Sequence, residues 1–154
     1  MRYDPPVTRT AEGDFLIDLS VDERKMLRSL PGQLRDLLDT DDPAVARLFP
    51  PAYSEDPERE DEYRRLMKDE LLSRRLEALA LLEDTAMADR LTEEQVLVWM
   101  RVINDVRLVV GTTLDVKEED ERDAFDEDDP QAPMLGLYWY LSALLESIIE
   151  ALEA

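Results

Sequence analysis

The chain has 154 residues, 44% of them hydrophobic, with 38 acidic against 18 basic side chains and a formal net charge of −20. That length suits one domain with a real core, and that hydrophobic share excludes a disordered chain. Such a charge repels nucleic-acid phosphates and anionic lipid surfaces, so neither direct DNA binding nor a membrane role is expected. The chain has no cysteine and no histidine. Disulfides, thiol nucleophiles, imidazole proton shuttles and Cys/His zinc sites therefore drop out together.

Residues 1–19 lack a helical pattern. Phe15, Ile17 and Leu19 alternate with Leu16 and Asp18, a short half-buried strand. Glu12-Gly13-Asp14 turns back toward Val7-Thr8-Arg9-Thr10, which predicts a small hairpin needing helices to lean on.

Ser20-Val21-Asp22-Glu23 reads as a capping box opening a helix over 21–39, with Leu27, Leu30, Leu34 and Leu37 as its stripe. Pro31-Gly32 predicts a kink or break inside it. Asp42-Pro43 starts a short helix over 43–48 that stops before Pro50-Pro51. A helix over 58–85 follows Pro57, its spacing marked by Tyr63, Leu66, Met67, Leu71, Leu76, Leu79 and Leu82.

Thr92-Glu93-Glu94-Gln95 is a second capping box, heading a helix over 93–113. From Val96 to Leu114 apolar side chains occur around most of its wheel, the mark of a helix buried on more than one side. Arg101, Asn104, Asp105 and Arg107 are too many polar groups for a lipid span. Gly111, near its end, either admits another backbone closely or begins the unwinding. Residues 115–129 carry ten acids and two bases, a net −8 in fifteen residues. The segment lacks calcium-loop spacing and reads as a solvated acidic loop, with docking to a basic partner as the second reading. The last helix, 133–153, has a stripe of Leu137, Leu141, Leu144, Ile148 and Leu152. The expected architecture is mainly α: a single domain of four to five bundled helices with a small N-terminal β-hairpin.

Three polar residues interrupt the buried helix. Positions 104 and 107 share a face, whereas 105 lies about 100° from 104. Asn104 and Arg107 can act together, while Asp105 turns toward Arg101 or another helix. The unit is either a partner-recognition point or a structural lock in which Arg107 pairs with Glu146 or Asp105. The lock is favoured, because breaking a buried pair costs about 3–5 kcal/mol. Trp99, Tyr138, Trp139 and Tyr140 gather most of the large aromatics on two helices. Three successive aromatics span about 200° of the last helix, which turns Trp139 or Tyr140 outward as an interface anchor. No carboxylate pair stands out for catalysis and no phosphate-binding glycine loop exists, so no enzyme activity, cofactor or metal is expected.

Asp42-Pro43-Ala44, Pro51-Ala52-Tyr53, Tyr63-Arg64-Arg65-Leu66, Trp99, the stretch Asn104-Asp105-Val106-Arg107-Leu108-Val109-Val110-Gly111-Thr112 and Tyr138-Trp139-Tyr140-Leu141 occur in that order along the chain. In these residues the sequence resembles an actinobacterial family formerly described only as a domain of unknown function and now named for AosR, an oxidative-stress transcriptional regulator. The resemblance implies a small cytoplasmic regulator of stress-response transcription that works through a protein partner such as a sigma factor or RNA polymerase. One departure is that sensing by a cysteine pair is impossible here. The competing expectation is an adaptor or scaffold in protein turnover or assembly. A second copy of the chain, docked through the aromatic C-terminal helix, is a further open partner.

Overall fold

A computed structural model describes residues 5–40, 42–46, 48, 55–114 and 130–154, without the side chains of Ala46 and Lys68. Five helices and a small sheet are described. β1 (Val7–Arg9), β2 (Phe15–Ile17) and β3 (Arg90–Leu91) form one antiparallel sheet in that order. The hairpin register pairs Val7 with Ile17 and Arg9 with Phe15. Gly13, at φ 91°, closes its turn in a conformation that costs glycine little. The third strand was not expected: Leu91 pairs with Phe15, which widens the hairpin to three strands. Two residues carry no periodicity of their own, so only the partner strand reveals β3.

α1 (Val21–Leu38) opens on the complete capping box, with Glu23 N–H to Ser20 Oγ and Ser20 N–H to Glu23 Oε1 both at 3.1 Å. The expected break at Pro31 is corrected, since α1 runs through it without interruption. Pro31 falls on the stripe it shares with Leu27, Leu30 and Leu34 and is buried with them. Core burial of its ring offsets the hydrogen bond it removes. α2 (Pro43–Ala46) begins where Asp42 Oδ1 accepts from Ala44 N–H at 2.9 Å. α3 (Pro57–Thr85) is capped by Asp56, which accepts from the Arg59 N–H. Only its last turns enter the core, through Ala78, Leu79 and Leu82; Leu66, part of the expected stripe, stays 74% exposed.

α4 (Glu93–Leu114) carries the second capping box, Thr92 with Gln95, and continues past Gly111. It is the central helix, packed most extensively on α5 (Ala132–Glu153) and also touching α1, α2 and α3. Trp99 is fully buried, and its indole N–H donates to Thr85 Oγ1 at 2.7 Å. Thr85 in turn donates to the Leu81 carbonyl, so the polar edge of the largest core side chain is satisfied. α5 also packs on β1, and Arg9 reaches from that strand to the Ala154 carbonyl and to Glu93.

By length and composition α5 is apolar enough to cross a membrane, with mean hydropathy 1.3. In this fold one stripe, Leu141, Leu144 and Ile148, is spent on the core. The expected acidic loop 115–129 and the Pro50–Tyr53 segment lie outside the described residues.

Candidate functional site

The polar residues of α4 separate into two arrangements. Asp105 is buried and faces α3, where Arg75 forms an ion pair with it and also donates to the Leu48 carbonyl. Of the two directions open to it, Asp105 takes another helix rather than Arg101 as its pairing partner. Burial pushes its carboxyl above the ordinary value, opposed by the charge and hydrogen bond of Arg75 and by the charge of Arg101. One ion pair thus ties α4 to α3 and to the segment after α2.

Arg107 turns the other way. Its Nη2 donates to Asn104 Oδ1 at 3.0 Å, as their shared face requires. Its guanidinium carbon lies 5.9 Å from the centre of the Tyr138 ring, within cation–π range. No ion pair joins it to Asp105 or Glu146, so the carboxylate partnership weighed for it does not form. Its Nε is buried with no hydrogen-bond partner among the described residues.

Tyr138 is held from below by Gly111. A Cβ at 111 would stand 2.9 Å from Tyr138 Cε2, so the missing side chain makes room for the ring. The close approach expected at Gly111 is therefore made by a side chain and not by a backbone. Tyr138 also meets Trp139 edge to face, with centroids 5.2 Å apart.

The expected outward anchors are half-buried. Tyr140 donates its hydroxyl to Glu23 Oε2 at 2.7 Å, tying α5 to the first turn of α1. That bond holds the Glu23 carboxyl below its ordinary value, while burial and the same neighbour push the Tyr140 hydroxyl up. Tyr140→Phe should cost about 1 kcal/mol at neutral pH, below the usual range for a bond to a charged group because both side chains are half-exposed and screened by solvent. Glu23 is lowered in the fold, so its contribution is present above its unfolded value of 4.5 and lost as pH falls through the folded value. Melting curves of variant and wild type should converge below that point; a gap that persists there would show the lost hydroxyl to act by packing alone.

Beside Arg107 lies an open groove of about 380 Å³. Ser142, Leu145 and Ile149 of α5 form its floor, and Glu146, Glu150 and Glu153 flank it. Of the expected site residues, only Arg107 lines this groove, with Asn104 bonded to it. Trp99 belongs to the core, Asp105 to the α3 lock and Tyr140 to the α1 contact.

A buried cation missed by sequence reasoning is Arg24, 6% exposed in the first turn of α1. It donates to four carbonyls, those of Ile17, Leu19, Ala86 and Ala88, and to Asp89 Oδ1. A weak signal was available: a cation in an otherwise acidic first turn opposes the helix dipole and needs another reason to be there.

The model of a family described as a domain of unknown function, DUF2017, matches residues 4–152. The chain belongs to that family. No curated protein and no solved structure matches it. The DUF2017 match takes in the capping boxes, Arg24, the Arg75–Asp105 lock and nearly all of the α5 groove.

Proposed function

We infer that this DUF2017 protein is a non-enzymatic, partner-binding regulator of stress-response transcription, acting in the cytoplasm through a protein such as a sigma factor. The observation that carries this reading is the charge balance, 38 acids against 18 bases, set beside the AosR-like residues. A chain of this charge gains little affinity by neutralising DNA phosphates, which supports a route to transcription through a protein. The same charge speeds encounter with a basic surface, an effect on association rate more than on final affinity. With no cysteine, control in this member rests on something other than a thiol pair.

Capture of tagged protein from a lysate at low and high salt, read by mass spectrometry, tests the reading. Recovery of a sigma factor or RNA polymerase that weakens with salt is the expected result. Recovery of protease or chaperone subunits instead would replace it with the adaptor reading. Arg107→Ala sharpens the test: with one hydrogen bond to Asn104 and one ring contact, its loss should cost only about 1 kcal/mol of stability. The variant should therefore melt close to wild type while capturing less partner. A variant that melts far lower would return Arg107 to a purely structural role.

A further inference from the structure

The groove beside Arg107 is apolar along its floor and acidic along its flank, although α5 is the most apolar of the four long described helices. Successive 100° steps place Ser142, Leu145 and Ile149 in one strip and Glu146, Glu150 and Glu153 in the adjoining strip. Ile149 is 39% exposed, and none of the three glutamates forms an ion pair with a described residue. We propose that this groove docks a basic amphipathic helix of a partner protein. This rests on the partner-binding reading and names the chemistry of the partner.

The glutamates recur at steps of four and three, about 6 and 4.5 Å along the helix axis. A second helix lying along α5 presents its own side chains with the same rise, so lysines or arginines at steps of four and three meet them in turn. Its apolar side chains, one strip over, fill the space above Leu145 and Ile149 in the manner of a helix in a groove. Arg107 lines the same groove and its side chain is half-buried there. The solvent-facing edge of its guanidinium takes an acidic side chain or a carbonyl of the docked segment and sets the segment's direction.

A second copy of this chain fits the groove poorly. A two-fold contact would set the same patch against itself, glutamates facing glutamates, in molecules each carrying −20. An anionic lipid surface meets the same repulsion. A basic helix is the occupant that gains from both strips.

The test uses the full chain and a fluorescein-labelled helical peptide of Lys, Leu and Ala, about 18 residues long, with lysines at steps of four and three. A scrambled peptide of equal composition is the control, and binding is read by fluorescence anisotropy at near-physiological salt. The triple variant E146Q/E150Q/E153Q, or Ile149→Asp alone, should weaken the patterned peptide by about tenfold. A second triple variant, D61N/E62Q/D69N, removes equal charge from exposed positions on α3 and should change binding by about twofold at most, because screening blunts distant charges. All four positions changed in the groove are on the surface, so thermal melts should match wild type.

Equal losses in the two triple variants would overturn the proposal, since the general field and not the groove would then bind. So would equal binding of the scrambled peptide, or no binding at all. Self-association of the wild type that Ile149→Asp abolishes would assign the groove to a second copy. Groove binding and the regulator role can fail independently. A sigma factor captured equally by wild type and the groove triple variant would end the groove proposal and keep the regulator. Peptide binding lost in that variant, with no transcription component captured, would do the reverse.

Discussion

Replacing Arg24 with Met should lower stability by about 3–5 kcal/mol, the largest single effect expected in the described part of the chain. The four carbonyls that Arg24 serves belong to the end of β2, the link into α1, and the turn between α3 and β3. Each buried acceptor left without a donor costs about 1–3 kcal/mol, and two or three of these would have no ready substitute. The contact with Asp89 adds little, because that carboxylate is 91% exposed and well screened. The loss is therefore one of geometry more than of charge. Arg24→Lys distinguishes the two: it keeps the charge, yet a single ammonium cannot span acceptors that the planar guanidinium reaches from three nitrogens. It should recover less than half of the lost stability. Urea denaturation measures both variants, and the Met substitution should lower Tm by about 10 °C for a chain of this length. A Lys variant as stable as wild type would show that charge alone is what the site requires.

Arg24 also marks where the sequence stops being legible. Features set by near neighbours could be read directly. Ser20 with Glu23 and Thr92 with Gln95 form their capping boxes within four residues, and the hairpin follows from alternation at Phe15 and Ile17. The burial of α4 was legible because apolar residues surround its axis. Partners distant in sequence were not. Arg24 takes carbonyls more than sixty residues away, and Asp105 finds Arg75 thirty residues earlier. An arginine on a helix surface and an arginine under a turn look alike until the turn is placed.

The candidate groove falls between these cases. Asn104 and Arg107 were placed on one face by their spacing alone, and the structure joins them. The floor and flank of the groove come from α5, whose apolar stripe is broad enough to feed both the core and the surface. Periodicity shows that breadth, but the packing of α5 on α4 and β1 decides which residues remain outside. Leu144 and Ile148 go inward while Ile149 stays out, a division set by the position of those neighbours.

The second large effect should come from Arg75→Met, which leaves Asp105 buried without its counter-charge. Breaking such a pair by removing one member costs about 3 kcal/mol, most of it the desolvation of the carboxylate left behind. Asp105→Asn should be destabilising in the wild type, where it removes the acceptor of Arg75, and stabilising in the Arg75→Met background, where it removes the stranded charge. That change of sign is measurable by a double-mutant cycle in urea. Additive losses would mean that the two side chains act independently. The pH dependence gives a second reading. Burial already holds Asp105 above its ordinary value of 3.8, so the folded state binds the extra proton and gains stability as pH falls through the folded value. Arg75 opposes that rise by its charge and hydrogen bond, and removing it lifts the folded value further. The deficit of Arg75→Met relative to wild type should therefore shrink between pH 7 and about pH 5, while the R75M/D105N double variant shows no such recovery. A deficit that stayed constant over that range would place the cost in the Leu48 carbonyl and not in the carboxylate.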